Sequence, residues 1–160
     1  MTMEKIINKL KEKFAGSILD VTEFRGETTV KVKPEIIVEF SSFLKYDSEL
    51  KFELLEDLTA IDWAERKNRF SVIYHIFSIP NSLRIRIEVP LGTADNLDSV
   101  SGIWKTANWH ERETYDMYGI TFNNHPDLRR MYMPEEFEYH PLRKDFPLMG
   151  IPGSLPLPKK

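Results

Sequence analysis

Seven of the ten prolines in this 160-residue chain lie at positions 126, 134, 141, 147, 152, 156 and 158. Proline fixes φ and carries no backbone N–H, so this density excludes both a helix and an interior strand from the end of the chain. That segment must run extended. Its composition is nonetheless not that of a disordered linker, because Leu128, Met131, Tyr132, Met133, Phe137, Tyr139, Leu142, Phe146, Leu148, Met149 and Ile151 are all apolar or aromatic. A stiff strip of large side chains cannot bury itself. It needs a surface, its own domain's or a partner's, and its stiffness lowers the entropy lost on docking. So long a stretch without regular elements is unusual within a self-contained domain, which favours a partner for part of it. The expected organisation is a globular domain over 1–124 followed by an extended docking tail over 125–160.

The region before the tail reads as alternating helices and strands. Ile6, Ile7, Leu10 and Phe14 recur at helical spacing and Gly16 supplies a stop, which predicts a helix over 3–14. The run from Thr28 to Lys33 alternates with period two and predicts a short strand. Pro34 suits the first turn of a helix whose apolar face is Ile36, Ile37, Phe40, Phe43 and Leu44. Residues 52–62 fit either period, with a strand favoured over the second half. The clearest β signal is a hairpin, with strands at 70–77 and 83–89 around the turn 79–82. In its second strand Leu83, Ile85, Ile87 and Val89 alternate with Arg84, Arg86 and Glu88, as in an antiparallel strand buried on one face. Asp95 is positioned to cap a helix over 97–106, and a further helix over 109–118 ends at Gly119. These elements predict an α+β fold, a small mainly antiparallel sheet flanked by helices.

Composition narrows the function. With 41 % hydrophobic and 29 % charged residues, the chain has apolar mass for one core. A net charge of −3 argues against nucleic acid as a partner, since nucleic-acid binding normally leaves a basic footprint. Cysteine is absent, which excludes disulfides, thiolate metal sites and cysteine-ligated iron–sulfur clusters. The first residues form a charged amphipathic stretch without the apolar core of a signal peptide. No segment approaches the roughly 18 uncharged apolar residues of a membrane span.

The most chemically dense segment is 109–130, where Trp109, His110, Glu111, Arg112, Glu113, Tyr115, Asp116 and Tyr118 crowd one helix ahead of His125, Asp127, Arg129 and Arg130. Aromatic and arginine side chains at this density point to docking. Catalysis is the rival. Glu113 and Asp116 are three apart on one helical face and could pair for acid–base work or Mg²⁺. However, Arg112 stands four before Asp116, so an ordinary surface ion pair explains the spacing. His75, His110, His125 and His140 form no metal-ligand spacing, and there is no nucleophile elbow or glycine-rich phosphate loop.

The run Glu111-Arg-Glu113, then Tyr115-Asp-Met-Tyr-Gly-Ile120, Phe122 and Asn124-His-Pro-Asp-Leu-Arg-Arg130, resembles the signature of the C-type, thirty-kilodalton subunit family of complex I, the NADH:quinone oxidoreductase. The resemblance continues through Met133-Pro-Glu135 and His140-Pro-Leu-Arg-Lys-Asp-Phe-Pro147. It implies a non-catalytic structural member of the peripheral arm of a proton-pumping quinone oxidoreductase, a translocase. Proteins of this family dock on the D-type subunit that forms the quinone site, near the B-type and I-type subunits, with the proline-rich end wrapping over its neighbour. The resemblance also implies no cofactor and no metal on this chain, while the complex uses iron–sulfur clusters, a quinone and, where an NADH module is present, FMN. Membrane contact comes only through the complex, peripherally, on the cytoplasmic side of a cell or thylakoid-type membrane. Carried over by position, Glu111, Arg112, Glu113, Asp116, His125, Asp127, Arg129, Arg130, Pro141, Arg143 and Asp145 are candidates for a partner interface built from ion pairs. Two alternatives stay open. One is the homologous subunit of a ferredoxin-driven or hydrogenase-type membrane complex lacking the NADH module. The other is a stand-alone metal-dependent hydrolase using Glu111, Glu113, Asp116 and nearby histidines.

Overall fold

The computed structural model describes residues 1–147 and 151. Helix α1, Met3–Lys13, buries Ile6, Ile7 and Leu10. Strand β1, Ile18–Phe24, turns through Arg25 and Gly26 into β2, Glu27–Val32, and both turn residues have positive φ (53° and 79°). That is the left-handed pair demanded by a two-residue hairpin whose twist matches its strands. Pro34 opens a single 3₁₀ turn, Pro34–Ile36, that feeds α2, Ile37–Tyr46. Strands β3 (Leu54–Asp62), β4 (Phe70–Ser78) and β5 (Leu83–Leu91) follow as a meander. A two-residue strand β6 (Leu97–Asp98), helix α3 (Ala107–Tyr118) and a two-residue strand β7 (Phe122–Asn123) complete the regular elements.

The main sheet has the order β1-β2-β5-β4-β3, antiparallel throughout except for the parallel β2–β5 pair. Three helices and a mostly antiparallel five-stranded sheet make this the expected α+β fold. Alternation dictates how it packs. Val30, Val32, Ile85, Ile87, Val89, Val72 and Ile76 point to one face and are at most 1 % exposed, under Ile6, Leu10, Ile37, Phe40 and Leu44 of the first two helices. Phe14 and Phe40 meet edge to face, their ring centroids 5.1 Å apart. The opposite face carries ion pairs such as Lys31–Glu88 at 2.8 Å and Arg84–Glu56 at 3.0 Å. Exposed pairs of this kind add little stability. Helix α3 packs against β3 and brings the 109–130 segment onto the end of the core layer. Among the described residues, no helix is long and apolar enough to cross a membrane.

Two elements differ from expectation. Residues 18–24, with no clear sequence signal, form an edge strand exposed over most of its length. The predicted helix over 97–106 does not form; β6 and a series of turns stand there instead. The side chain of Asp95 turns back to accept the Gly92 N–H at 2.6 Å and so caps nothing downstream. The Val100 N–H, which a helix would direct along its own axis, is taken by the Glu111 carboxyl group at 2.8 Å.

Candidate functional site

Helix α3 ends at Gly119, whose φ of +75° allows its N–H to close on the Tyr115 carbonyl at 2.8 Å. From there the chain passes through β7 and folds back along α3. Asp116 is the pivot. It has no solvent exposure, and its Oδ2 accepts the consecutive N–H groups of Met131, Tyr132 and Met133 at 2.9, 2.7 and 3.1 Å. Its Oδ1 takes the Arg130 guanidinium at 2.7 Å. Burial alone would raise the pKa of this carboxyl group, but the three amides and Arg130 outweigh it and hold the pKa below the usual aspartate range.

This geometry corrects the Arg112–Asp116 ion pair. Arg112 instead donates from Nε to the Arg129 carbonyl at 3.1 Å and from its guanidinium to the Arg130 carbonyl at 3.3 Å, beneath the Trp109 ring at 5.0 Å. Arg112 is buried as well, but its guanidinium is committed to those carbonyls, and the cation of Asp116 arrives from 14 residues later in the chain. Glu113 is exposed, so the face proposed for Glu113 and Asp116 is split between solvent and interior. Glu111 lies deeper still, fully buried against Ser99 and Val100. The three carboxylates thus sit in three separate environments and form no catalytic pair. Among the described residues, no cluster of three histidine or acidic side chains is arranged to hold a metal ion.

The other candidates hold the strip or line its outer side. His125 joins Asn108 to the Asp127 amide. Asp127 and Arg129 are exposed and clasp each other twice, both times at 2.7 Å. Arg143 donates to the Tyr118 carbonyl beside half-buried Pro141, and Leu142 N–H reaches the Met117 carbonyl at 3.1 Å. Burial lowers the Arg143 pKa. Asp145 is exposed and pairs with Arg69 at 2.9 Å.

That last contact exposes an anchor the sequence reading missed. Asp62 at the end of β3 accepts two hydrogen bonds from Arg69 (3.0 and 2.8 Å) and also accepts the Lys144 N–H at 2.8 Å. The Arg69 hydrogen bonds drive the Asp62 pKa far below the usual carboxylate range, against the opposing effect of burial. No sequence signal marks the site, because the partners are separated by 7 and 82 residues. Arg69→Ala should lower stability by about 3 kcal/mol in urea unfolding, since it strands a buried carboxylate. A depressed carboxylate pKa contributes stability above about pH 4 that is lost as pH falls through the folded value. The variant should therefore lose less stability than the parent on acidification, measured as the unfolding midpoint between pH 6 and pH 3.

The strip is fixed but not covered. Its polar backbone is anchored at Asp116, Met117, Tyr118 and Asp62, yet Tyr132 is 59 %, Tyr139 38 % and Leu142 52 % exposed. Trp109 on α3, one of the aromatics that pointed to docking in the sequence, is 59 % exposed and stacks on Arg112, which holds the Arg129 and Arg130 carbonyls. Rigid aromatic side chains left in solvent are the usual anchors of a protein interface.

The family described as respiratory-chain NADH dehydrogenase, 30 Kd subunit, matches residues 30–152. The C-type subunit of NADH-quinone oxidoreductase from Geotalea uraniireducens is 53 % identical over 147 residues, spanning 91 % of this chain and 88 % of the relative. Its counterpart from Geobacter metallireducens is 51 % identical over 154 residues, spanning 95 % and 93 %. Among solved structures, a chain of the membrane-bound sulfane sulfur reductase, an archaeal respiratory membrane complex, superposes with a TM-score of 0.75. It covers 91 % of this chain and 85 % of its own at 22 % identity, a likeness of fold. The chain belongs to the 30 Kd subunit family of the respiratory-chain NADH dehydrogenases.

Proposed function

We propose that this chain is the thirty-kilodalton subunit of a complex I-type, proton-translocating NADH:quinone oxidoreductase, a structural part of its peripheral arm that binds no redox centre itself. The observation that carries the reading is the strip at 129–147, whose backbone is fixed to α3 while Tyr132, Tyr139 and Leu142 stay in solvent. A surface ordered before binding loses little entropy on docking. The partner is the D-type subunit that forms the quinone site, with the B-type and I-type subunits adjoining, and contact with the cytoplasmic side of the membrane runs through the complex. Glu113, Asp127, Arg129 and Asp145 are the exposed charges available to set register across that interface. Glu111, Arg112, Asp116, His125, Arg130, Pro141 and Arg143 support the interface from behind. The globular part ends near residue 124, and the tail after it supplies the contact. Iron–sulfur clusters, FMN and quinone belong to neighbouring subunits, since a chain without cysteine offers no thiolates for a cluster. The NADH-quinone oxidoreductase names of the relatives support NADH as donor over the ferredoxin or hydrogenase-type alternative.

Trp109→Ala combined with Tyr132→Ala tests this. Loss of an interface anchor of this kind costs about 2 kcal/mol or more, roughly 30-fold in affinity. The double variant should be under-represented in the complex on native gels, while the isolated chain keeps its parental circular dichroism. Turnover per assembled complex should match the parent, and a large drop there would contradict a scaffold role. Affinity capture of the parental chain from detergent-solubilised membranes should recover the quinone-site subunit; recovery of the chain alone would sink the proposal.

A further inference from the structure

Glu111 lies on the inward face of α3, and neither its side chain nor that of His125 has any solvent exposure. Its Oε1 accepts the Val100 N–H at 2.8 Å, and its Oε2 lies 2.6 Å from Ser99 Oγ, itself 2.7 Å from Ser101 Oγ. Tyr74, wholly buried on β4, has a hydroxyl with no hydrogen-bond partner among the described residues. It is close enough that, after the larger effect of burial, charge on Glu111 raises the Tyr74 pKa further.

His125 Nε2 stands 3.8 Å from Glu111 Oε2, which suggests an ion pair by distance alone. The hydrogen bonds of the ring contradict it. Asp127 N–H donates to Nδ1 at 3.0 Å, so that nitrogen carries no proton. The Nε2–H then donates to the Asn108 carbonyl at 3.0 Å. The imidazole is neutral in this arrangement. Arg112, next along the helix, turns away to the carbonyls of Arg129 and Arg130. Facing Glu111 are therefore two serine hydroxyls and an amide from the 99–101 segment, a neutral ring from the loop after β7, and a phenol from β4. No cation is among these groups. A carboxylate here would be an uncompensated charge in the interior.

We propose that Glu111 is a neutral carboxylic acid in the folded chain, donating its proton to Ser99 Oγ, and that its ionisation loosens the junction joining α3, the 97–101 segment and the 123–127 loop. On ionisation the proton passes to solvent and the Ser99 hydroxyl reverses to donate. The same junction carries the β6–β7 pairing and the His125 loop that leads into the strip. Burial pushes the Glu111 carboxyl up to about 7, against the pull of Ser99 and the Val100 amide. The sign follows from linkage. A carboxyl whose folded pKa lies above its unfolded value near 4.5 contributes stability below that value and loses it as pH rises through about 7. The inference stands on the internal geometry and does not depend on which partner covers the strip.

The test is urea unfolding of the full chain from pH 5 to pH 9, for the parent and for Glu111→Gln. The amide keeps the shape of the neutral acid and can donate to Ser99 in its place. Every other ionisable group is common to the two proteins, so the difference between the two profiles isolates Glu111. The ratio of their folding constants should change on the order of 100-fold in favour of Glu111→Gln as pH rises across this window. Parallel profiles would overturn the proposal. Infrared spectroscopy of the parent with isotope-labelled glutamate provides a second measurement should Glu111→Gln not fold. A protonated carboxyl stretch should be present at pH 5.5 and gone by pH 9. Its absence at pH 5.5 would equally overturn the assignment.

Discussion

Asp116→Ala should release the strip from α3 and cost about 3 kcal/mol, while the five-stranded sheet stays folded. The carboxylate removed is completely buried and accepts from three successive backbone amides and from Arg130. Alanine leaves those amides without an acceptor and takes the carboxylate from a guanidinium only 10 % exposed, which keeps only the Tyr139 and Asp116 carbonyls. The strip meets that loss by moving into water, where the amides are solvated, so the effect concentrates there. Hydrogen exchange should show the amides of Met131, Tyr132 and Met133 losing protection, with those of β4 and β5 retaining theirs. Limited proteolysis should cut between 129 and 146. Asp116→Asn keeps the volume but loses the charge and one acceptor position, so it should fall between parent and alanine variant. The parent should mimic the alanine variant in acid. The Asp116 pKa is depressed in the folded chain, so its contribution holds above about pH 4 and is lost as pH falls through the lowered value. Protection at Met131–Met133 that survived in Asp116→Ala would remove Asp116 from its place as pivot.

Gly119→Ala should be comparably damaging, at about 3 kcal/mol in total from a backbone and a packing cost. Its φ of +75° lies in the left-handed region, where a Cβ costs roughly 1–2 kcal/mol. The added carbon would also fall 2.5 Å from Nε2 and 2.6 Å from Cδ2 of His140, and against the Arg143 guanidinium. Overpacking of that kind adds about 1–3 kcal/mol. The arginine end can swing aside, but the His140 ring is held by its Nδ1 contact with the Asp116 carbonyl at 2.9 Å. The ring must move, and its bond to the helix end goes with it. Thermal unfolding should show a clear drop in midpoint. In Gly119→Ala with His140→Ala the steric part should disappear and the backbone part remain. A Gly119→Ala variant as stable as the parent would mean that this close approach does not exist.

Legibility in the sequence followed how local each determinant was. Helices α1 and α2 and the β4–β5 hairpin were readable because each buries one face against a continuous core, and that leaves a period of 3.6 or 2 in the apolar positions. Strand β1 leaves no such trace, since an edge strand with most of its side chains in solvent has no buried face to repeat. The false helix at 97–106 arose from Asp95, a good cap by type, whose side chain is occupied by the Gly92 amide behind it. Pairing Arg112 with Asp116 rested on a sound spacing rule, but that rule cannot see a stronger cation and three amides arriving from the next segment.

The sequence by itself determined that the chain has a small α+β core, that the described residues after 124 form neither helix nor strand, and which family it resembles; the rest of the predicted tail, 148–150 and 152–160, lies outside the described residues. Those properties rest on composition, proline placement and contiguous motifs, all carried along the chain. Only the tertiary structure decided what the charged residues do. Asp116 and Asp62 became internal anchors because the amides and arginines that converge on them outweigh burial and favour their ionised forms, and Glu111 became an isolated buried acid because no cation reaches it. Acidic side chains thus take opposite electrostatic roles a few positions apart on α3, according to which donors the fold brings to them.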